Sequence, residues 1–298
     1  IKPDVVVGFN TATFGEYLFH QVASTKGIKF FQLRTTKIEN FSTFTEDLVE
    51  NYGHIRQRYN EIMNVKSGFD KEIYDHALEY LNRAQNGKMV YEGGVIFELN
   101  FLSFVKDYLF FALISIGADI IKFQESKDNH SSRSYFMRYL YNKPVRLGRF
   151  IQQKLKYNYH YKKIEDIEND RYFFFPLHAE PEISLSLFTP FYQNQIEIIR
   201  IIARHLPIEF KLLIKEHPRN IGRRSNSYYK KIFQIPNTEM ADPNLSTIDI
   251  VNRCRMVIGL SSFVTFEAAI QQKPTITLGK SIFNMLPKHM VNHVDNPK

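Results

Sequence analysis

Leu212-Leu213-Ile214-Lys215-Glu216-His217-Pro218 is the stretch on which the fold turns. Three aliphatic residues and the apolar stem of a lysine run into a charged end closed by proline. An unbroken apolar run of this length, bounded by turn residues, reads as a strand buried on both faces, as in a parallel sheet. Pro218 has no N–H to offer the ladder, so the strand ends at His217. In open α/β sheets ligands bind just beyond the carboxyl ends of the strands. Lys215, Glu216 and His217 therefore stand where binding or chemistry is expected, although a solvated strand end would carry the same charges.

Outward from this stretch, strands and helices alternate. A strand over 172–175 ends in Pro176-Leu177-His178-Ala179-Glu180-Pro181-Glu182, and a helix follows over 191–205 with Ile196, Ile199, Ile202 and Ala203 on one face. After the central strand come a polar segment over 219–227, short helices near 228–233 and 247–252, and a strand over 256–260 that runs into Ser261-Ser262. A helix over 263–271 and a strand over 274–279 complete the series. This alternation predicts a doubly wound, Rossmann-like domain. Near the start, Val5-Val6-Val7-Gly8-Phe9-Asn10, a helix over 14–24 stopped by Gly27, and Ile28-Lys29-Phe30-Phe31-Gln32-Leu33 read as one βαβ unit, with Thr11-Ala12-Thr13 in its first loop. Residues 41–128 read as mostly helical: Phe44, Leu48, Tyr52 and Ile55 recur at helical spacing, as do Tyr74, Leu78 and Leu81, punctuated by Gly87 and Gly93-Gly94. The expected division is 1–170 and 171–298. Ile1 in place of Met, with a strand beginning at once, is expected of a domain whose earlier βα units lie outside this sequence.

A chain of 298 residues with 44% hydrophobic and 14% aromatic content can bury a full core. Its one cysteine, Cys254, excludes an internal disulfide and a cysteine-rich zinc site, and fits a reducing compartment. No signal peptide is expected from the first residues given, and the most apolar stretch, 108–118, is too short to span a bilayer. The net charge of +8 is concentrated: nine Lys and Arg lie between Ser131 and Ile164, with no acid among them and Pro144 and Gly148 expected to break any helix there. Without those nine, the remaining basic residues are outnumbered by the 31 acidic ones.

Three strand ends of the second domain carry polar loops, around His178 and Glu182, around Lys215 and His217, and at Ser261-Ser262. Right-handed crossovers place all three on one edge of the sheet. The third opens a helix, whose backbone N–H groups are expected to meet an anion; Lys215 and His217 would reach a phosphate there, and Glu267, one turn on, a ribose. Taken singly, Ser262 also reads as a helix cap and Glu267 as a partner of the helix dipole. No Walker loop, Gly-x-Gly-x-x-Gly, His-Glu-x-x-His or Gly-x-Ser-x-Gly is present, and His178 and His217 lack metal-site spacing, so neither a metal nor a cofactor is predicted.

These residues resemble a known family. Pro176-Leu177-His178 followed by Pro181-Glu182, then Lys215-Glu216-His217-Pro218, then Ile258-Gly259-Leu260-Ser261-Ser262 with Phe266-Glu267-Ala268-Ala269 and Lys273-Pro274, resemble the capsule polysaccharide biosynthesis family, which is similar to Kdo transferases and more distantly to bacterial sialyltransferases. The resemblance covers 172–279 well, 1–33 in pattern, and the middle hardly at all; Leu260-Ser261-Ser262 stands where the family has a Thr-Gly-Thr-like turn. It implies a GT-B-like α/β fold, two Rossmann-like domains facing a cleft, here with a helical middle region and an incomplete first domain. It implies a nucleotide-sugar glycosyltransferase acting from a CMP-sugar of Kdo type on a bacterial surface polysaccharide or glycolipid. His217 and Pro218 then lie at the nucleotide phosphate, and Ser261, Ser262 and Glu267 at the ribose or phosphate, with His178, Glu182 and Lys215 completing the donor site. His217 is catalytic through the leaving phosphate. The acceptor hydroxyl needs a base from the facing domain, for which Glu16, after the first strand-end loop, is the candidate ahead of Asp4.

Two other enzyme readings share such a frame, a UDP-sugar epimerase and a polyol-phosphate transferase. A single-strand nucleic-acid binder would suit the basic, tyrosine-rich span but leaves the three loops unexplained, so no nucleic acid is expected. The span instead suits the anionic inner face of a bacterial cytoplasmic membrane, where each Lys or Arg contributes about 1 kcal/mol and aromatics sit at the interface. The expected location is cytoplasmic and peripheral to that membrane.

Overall fold

The computed structural model describes residues 3–9, 14–36, 38–39, 41–46, 52–64, 70–86, 106, 109–110, 113–114, 135–157, 160–180, 182, 185–186 and 189–294, with the backbone alone at 14 and 135–143. The first part holds β1 (Val5–Phe9), α1 (Phe14–Thr25), β2 (Lys29–Thr35), β3 (Ser42–Thr45), α2 (Gly53–Asn64) and α3 (Lys71–Gln85). Next come α4 (Tyr135–Tyr157), β4 (Tyr161–Lys162), β5 (Tyr172–Pro176), α5 (Gln195–His205), β6 (Lys211–Lys215) and α6 (Asn226–Phe233). The remainder is β7 (Thr238–Ala241), α7 (Thr247–Arg253), β8 (Met256–Gly259), α8 (Val264–Ile270), β9 (Thr275–Thr277) and β10 (Val291–His293).

The quoted stretch forms β6, an interior strand of a seven-stranded, wholly parallel sheet of order β10-β9-β8-β5-β6-β7-β4. Leu212, Leu213 and Ile214 of β6 are fully buried, as the apolar run predicts. Each contributes about 1.5–3 kcal/mol of burial. Successive side chains point to opposite faces. Leu212 and Ile214 join Phe175, Ile196, Ile199, Ile232 and Met240, so α5 and α6 cover one face. Leu213 joins Phe174, Ile250, Val251, Val257 and Ala268, so α7 and α8 cover the other. The winding runs outward from β5 through β6 to β7, then returns to β8 and continues to β9 and β10. The order reverses between β5 and β8, and such a reversal opens a crevice at the strand ends.

In the first part, β1 is parallel to β2 across α1, the βαβ unit expected, and β3 adds antiparallel to β2. Phe44 lies in β3, not on a helix, because Thr43, Phe44 and Thr45 pair with Arg34, Leu33 and Gln32, respectively, in the ladder; Ile55 lies in α2, and Leu48 falls outside the described residues. α3 is as expected, with Asp70 accepting from the N–H groups of Glu72 and Ile73 as its cap. α4 is one continuous helix through Pro144 and Gly148, where a break was expected. Pro144 removes one hydrogen bond at a cost of about 3 kcal/mol. Packing supplies an offset, since Gln153 and Tyr157, on the later turns, are buried against the second sheet's helices and loops. Gly87, Gly93-Gly94, Thr11-Ala12-Thr13, Pro181 and most of the apolar 108–118 stretch lie outside the described residues.

The second sheet also reaches back across the boundary expected at 170. β4 pairs with β7, Tyr157 joins the core under α5 and α6, and Ile167 joins the core under α7 and α8. Among the described residues, no helix is long and apolar enough to cross a membrane.

Candidate functional site

A cavity of about 220 Å³ opens at the carboxyl ends of β5, β6 and β8, where the strand order reverses. Its walls include His178 and Glu182 after β5, Lys215, His217 and Arg219 at β6, Thr247 at the start of α7, and Ser261, Ser262 and Glu267 at β8 and α8. The fold thus brings the three polar loops singled out in sequence to one place. Glu16, at the start of α1, is not among the lining residues.

Lys215 is the last residue of β6 and is 5% exposed. Its Nζ donates to Thr247 Oγ1 at 3.3 Å. Burial pulls its pKa down to about 8, with Glu216, Glu267 and Asp242 holding it from falling further. Glu267 is the counterpart: burial pushes its carboxyl up to about 7, opposed by the field of Lys215. At neutral pH the cavity therefore holds one ammonium and a carboxyl close to half-protonated.

His217 is held by its own turn. Pro218–Asn220 forms a single 3-10 turn, and His217 Nδ1 accepts from the Arg219 N–H at 3.2 Å. The remaining ring proton is thereby placed on Nε2, and burial lowers the ring's pKa to about 4. His217 is neutral at physiological pH and offers one N–H donor, which suits an anionic oxygen.

His178 is used differently. Its ring spans the reversal point: Nε2 accepts from the Ser261 N–H at 3.4 Å, and Nδ1 faces Glu182 Oε2 at 3.3 Å. Both nitrogens are engaged within the protein, so His178 forms a wall that ties β5 to β8.

Three of the backbone N–H groups around the start of α8, where an anion was expected, are bonded within the protein. The Ser261 N–H goes to His178, the Val264 N–H to Ser262 Oγ at 3.2 Å, and the Thr265 N–H to the Ser262 carbonyl at 3.2 Å. Lys215 and His217 stand on the cavity wall as side chains with donors suited to an anionic oxygen. Among the described residues, Ser261 Oγ, buried on the cavity wall, has no hydrogen-bond partner, and a ligand could satisfy it. Gly259 is required just before it, because a Cβ there would lie 2.5 Å from Thr265 Cγ2.

The site's frame includes Glu216, which the sequence placed at this strand end without a role, and Gln195 and Arg224, which it did not single out. Glu216 is fully buried, accepting from the His217 N–H at 2.6 Å and from Tyr229 Oη at 2.8 Å. Burial raises its pKa, and Arg224 opposes the rise. Gln195, the first residue of α5, accepts from the His178 N–H at 2.8 Å. A polar residue opening an amphipathic helix was the available signal for Gln195. Arg224, in a polar stretch, gave none. Among the described residues, no three His, Cys, Asp or Glu side chains converge as a metal site needs.

The basic span proves partly structural. Arg146 Nε donates to the Ile221 carbonyl at 3.2 Å, and Arg149 Nη1 to the Arg223 carbonyl at 2.7 Å. Lys154 and Lys156 are exposed on the same helix, beside exposed Ile151 and Leu155. Arg133, and the side chains of Arg138 and Lys143, lie outside the described residues.

Comparisons with known proteins bear on the family and the fold. The sequence model of the family described as capsule polysaccharide biosynthesis protein matches residues 122–287, more than half of the chain. No curated protein matches the sequence. Among solved structures, the chain is similar to the beta Kdo 2,4 transferase of Thermosulfurimonas dismutans KpsC, with 12% identity and a TM-score of 0.50, covering 94% of this chain and 72% of that one. It is also similar to the beta Kdo 2,7 transferase of the same protein, at 17% identity and a TM-score of 0.33, covering 50% of this chain and 56% of that one, so it spans little more than half of that relative. The 2,4 transferase likeness, with the parallel sheet and its reversal, makes the fold GT-B-like.

Proposed function

The chain belongs to the capsule polysaccharide biosynthesis family, and from that premise we propose that it is a glycosyltransferase of capsule assembly, moving a Kdo-like sugar from a CMP-sugar to a polysaccharide or glycolipid acceptor. The observation that carries the proposal is the cavity at the strand reversal, where one buried ammonium and one neutral histidine donor face the same space.

In the reaction proposed, the bond between the anomeric carbon and the donor phosphate oxygen breaks, and a bond from the acceptor oxygen to that carbon forms. The electron pair of the broken bond leaves on the phosphate. In this reading Lys215 Nζ and His217 Nε2–H stabilise that developing charge, and their burial strengthens the interaction. Glu267 and Ser261 supply hydrogen bonds to the nucleotide. The acceptor proton goes to a base on the facing domain, for which Glu16 remains the proposed residue, brought to the donor by closure of the cleft. No metal or cofactor is assigned a role. Lys154 and Lys156, flanked by Ile151 and Leu155, are the part of the basic span proposed to meet the anionic membrane face where such an acceptor is held. The proposed location is cytoplasmic and peripheral to that membrane.

The test is product analysis with CMP-Kdo and a capsular or glycolipid acceptor. The expected result is release of CMP and a gain by the acceptor of one sugar residue. Conversion of a UDP-sugar to its epimer without any acceptor would overturn the proposal in favour of an epimerase.

A further inference from the structure

The loop that follows β6 carries Arg219, Arg223 and Arg224 among Asn, Gly and Ser, a composition that reads as solvated. Arg224 is nevertheless 7% exposed. A buried guanidinium must be matched by acceptors, and the acceptors found here belong to both walls of the cavity. Nη2 donates to the His178 carbonyl at 2.6 Å and lies 3.2 Å from Glu180 Oε1, both on the loop after β5. Nη1 lies 3.5 Å from Glu216 Oε2, on the loop after β6. The guanidinium plane sits over the Tyr228 ring, 4.3 Å from its centroid. Buried Asn220 completes the set, placed to accept from the Glu180 N–H and from the guanidinium.

We infer that Arg224 is a positioning residue for the donor site: its rigid fork sets the separation of the β5 and β6 loops, and through them of His178 and His217. The inference rests on the donor-site reading above. Arg224 does not itself line the cavity. Its two wall contacts adjoin residues that do: the His178 carbonyl belongs to the residue whose ring binds the Ser261 N–H, and Glu216 accepts from the His217 N–H. The loop is also gripped from outside, because Gln153 of α4 donates to the Arg224 carbonyl at 3.2 Å and accepts from the Gly222 N–H at 3.3 Å. Gly222 has φ +73, and a Cβ there would lie 2.8 Å from the Arg146 carbonyl oxygen, so α4 packs directly on the turn. The loop backbone is thus fixed by α4, and the Arg224 side chain carries that fixed position inward. Lysine would keep the charge but not the planar fork, and could not hold both loops in this geometry.

The test is Arg224→Lys in the full chain, with CMP binding measured by calorimetry and donor and acceptor kinetics measured separately. CMP affinity is expected to fall by about tenfold, with a matching rise in donor KM, because small displacements of binding groups cost that much or more. Acceptor KM is expected to be unchanged. Unaltered CMP affinity and donor KM, accompanied by a lower Tm, would overturn the inference and leave Arg224 a packing residue. Should Arg224→Lys fail to fold, Glu180→Ala decides, since it removes one link between Arg224 and the β5 loop at a part-exposed position. A severalfold loss of CMP affinity in Glu180→Ala supports the inference, and wild-type affinity refutes it. Failure of the wild-type chain to bind CMP is a separate outcome that removes the donor-site reading and this inference with it.

Discussion

Replacing Lys215 by Met separates charge from packing in the cavity. Met matches the lysine stem in length and removes the ammonium. At neutral pH, CMP binding should weaken by about 10–100-fold, the equivalent of losing one charge-assisted hydrogen bond of about 1.5–3 kcal/mol. The wild-type pH profile carries a second magnitude. Because burial holds Lys215 at about 8, a ligand that needs the protonated form loses about tenfold in affinity for each pH unit above that value. Calorimetry between about pH 7.5 and 9.5 stays above the second ionisation of a phosphate monoester, near 6, so the slope reports on the protein. In Lys215→Met this slope should vanish. Stability supplies the control. Between about 8 and the ordinary lysine value of 10.5 the unfolded chain holds a proton that the folded chain has lost. Wild-type stability should therefore rise with pH across that window and the variant's should not. Wild-type affinity in Lys215→Met, or the same slope persisting, would refute the assignment of Lys215 to the phosphate.

His217→Ala should weaken donor binding without unfolding the chain, read by calorimetry alongside circular dichroism. Since the His217 pKa is lowered to about 4, the native state lags the unfolded state in taking up its proton. Thermal stability should fall as pH drops from about 6.5 to about 4, less so in His217→Gln. Gly279→Ala places a Cβ 1.9 Å from Thr189 Cγ2 and 3.0 Å from the Leu260 carbonyl oxygen; a loss of about 1–3 kcal/mol in denaturant unfolding is expected. Lys154→Gln with Lys156→Gln should reduce sedimentation with anionic vesicles and leave CMP binding intact, whereas Arg149→Gln, which loses the bond to the Arg223 carbonyl, should lower stability.

The second domain was legible because its central strands are buried on both faces and leave continuous apolar runs: 172–175, 210–215 and 256–260 each match a strand to within a residue or two. β4, β7 and β10 were missed. They are short and lie at or near the sheet edges, and Thr238-Glu239-Met240-Ala241 and Val291-Asn292-His293 carry too few apolar residues to show a period. The polar strand ends gave away the cavity's lining, since charge directly after an apolar run is visible without coordinates. The frame behind it was not visible. Arg224, Asn220 and Glu180 meet only through tertiary packing, and each alone looks like a surface residue. The reversal between β5 and β8, which makes the crevice, is a property of strand order that no local pattern encodes.

The central claim is that the cavity at this reversal binds the donor nucleotide, and a thermal-shift comparison of CMP, UDP, GDP and CDP on wild type and Lys215→Met tests it most directly. A ligand at a hundredfold excess over its Kd stabilises by about 2.7 kcal/mol, which is a shift of several degrees. CMP is expected to raise the wild-type Tm more than the other nucleotides do, and the shift to be largely lost in Lys215→Met. No shift with any nucleotide, or an equal CMP shift in both proteins, would contradict it.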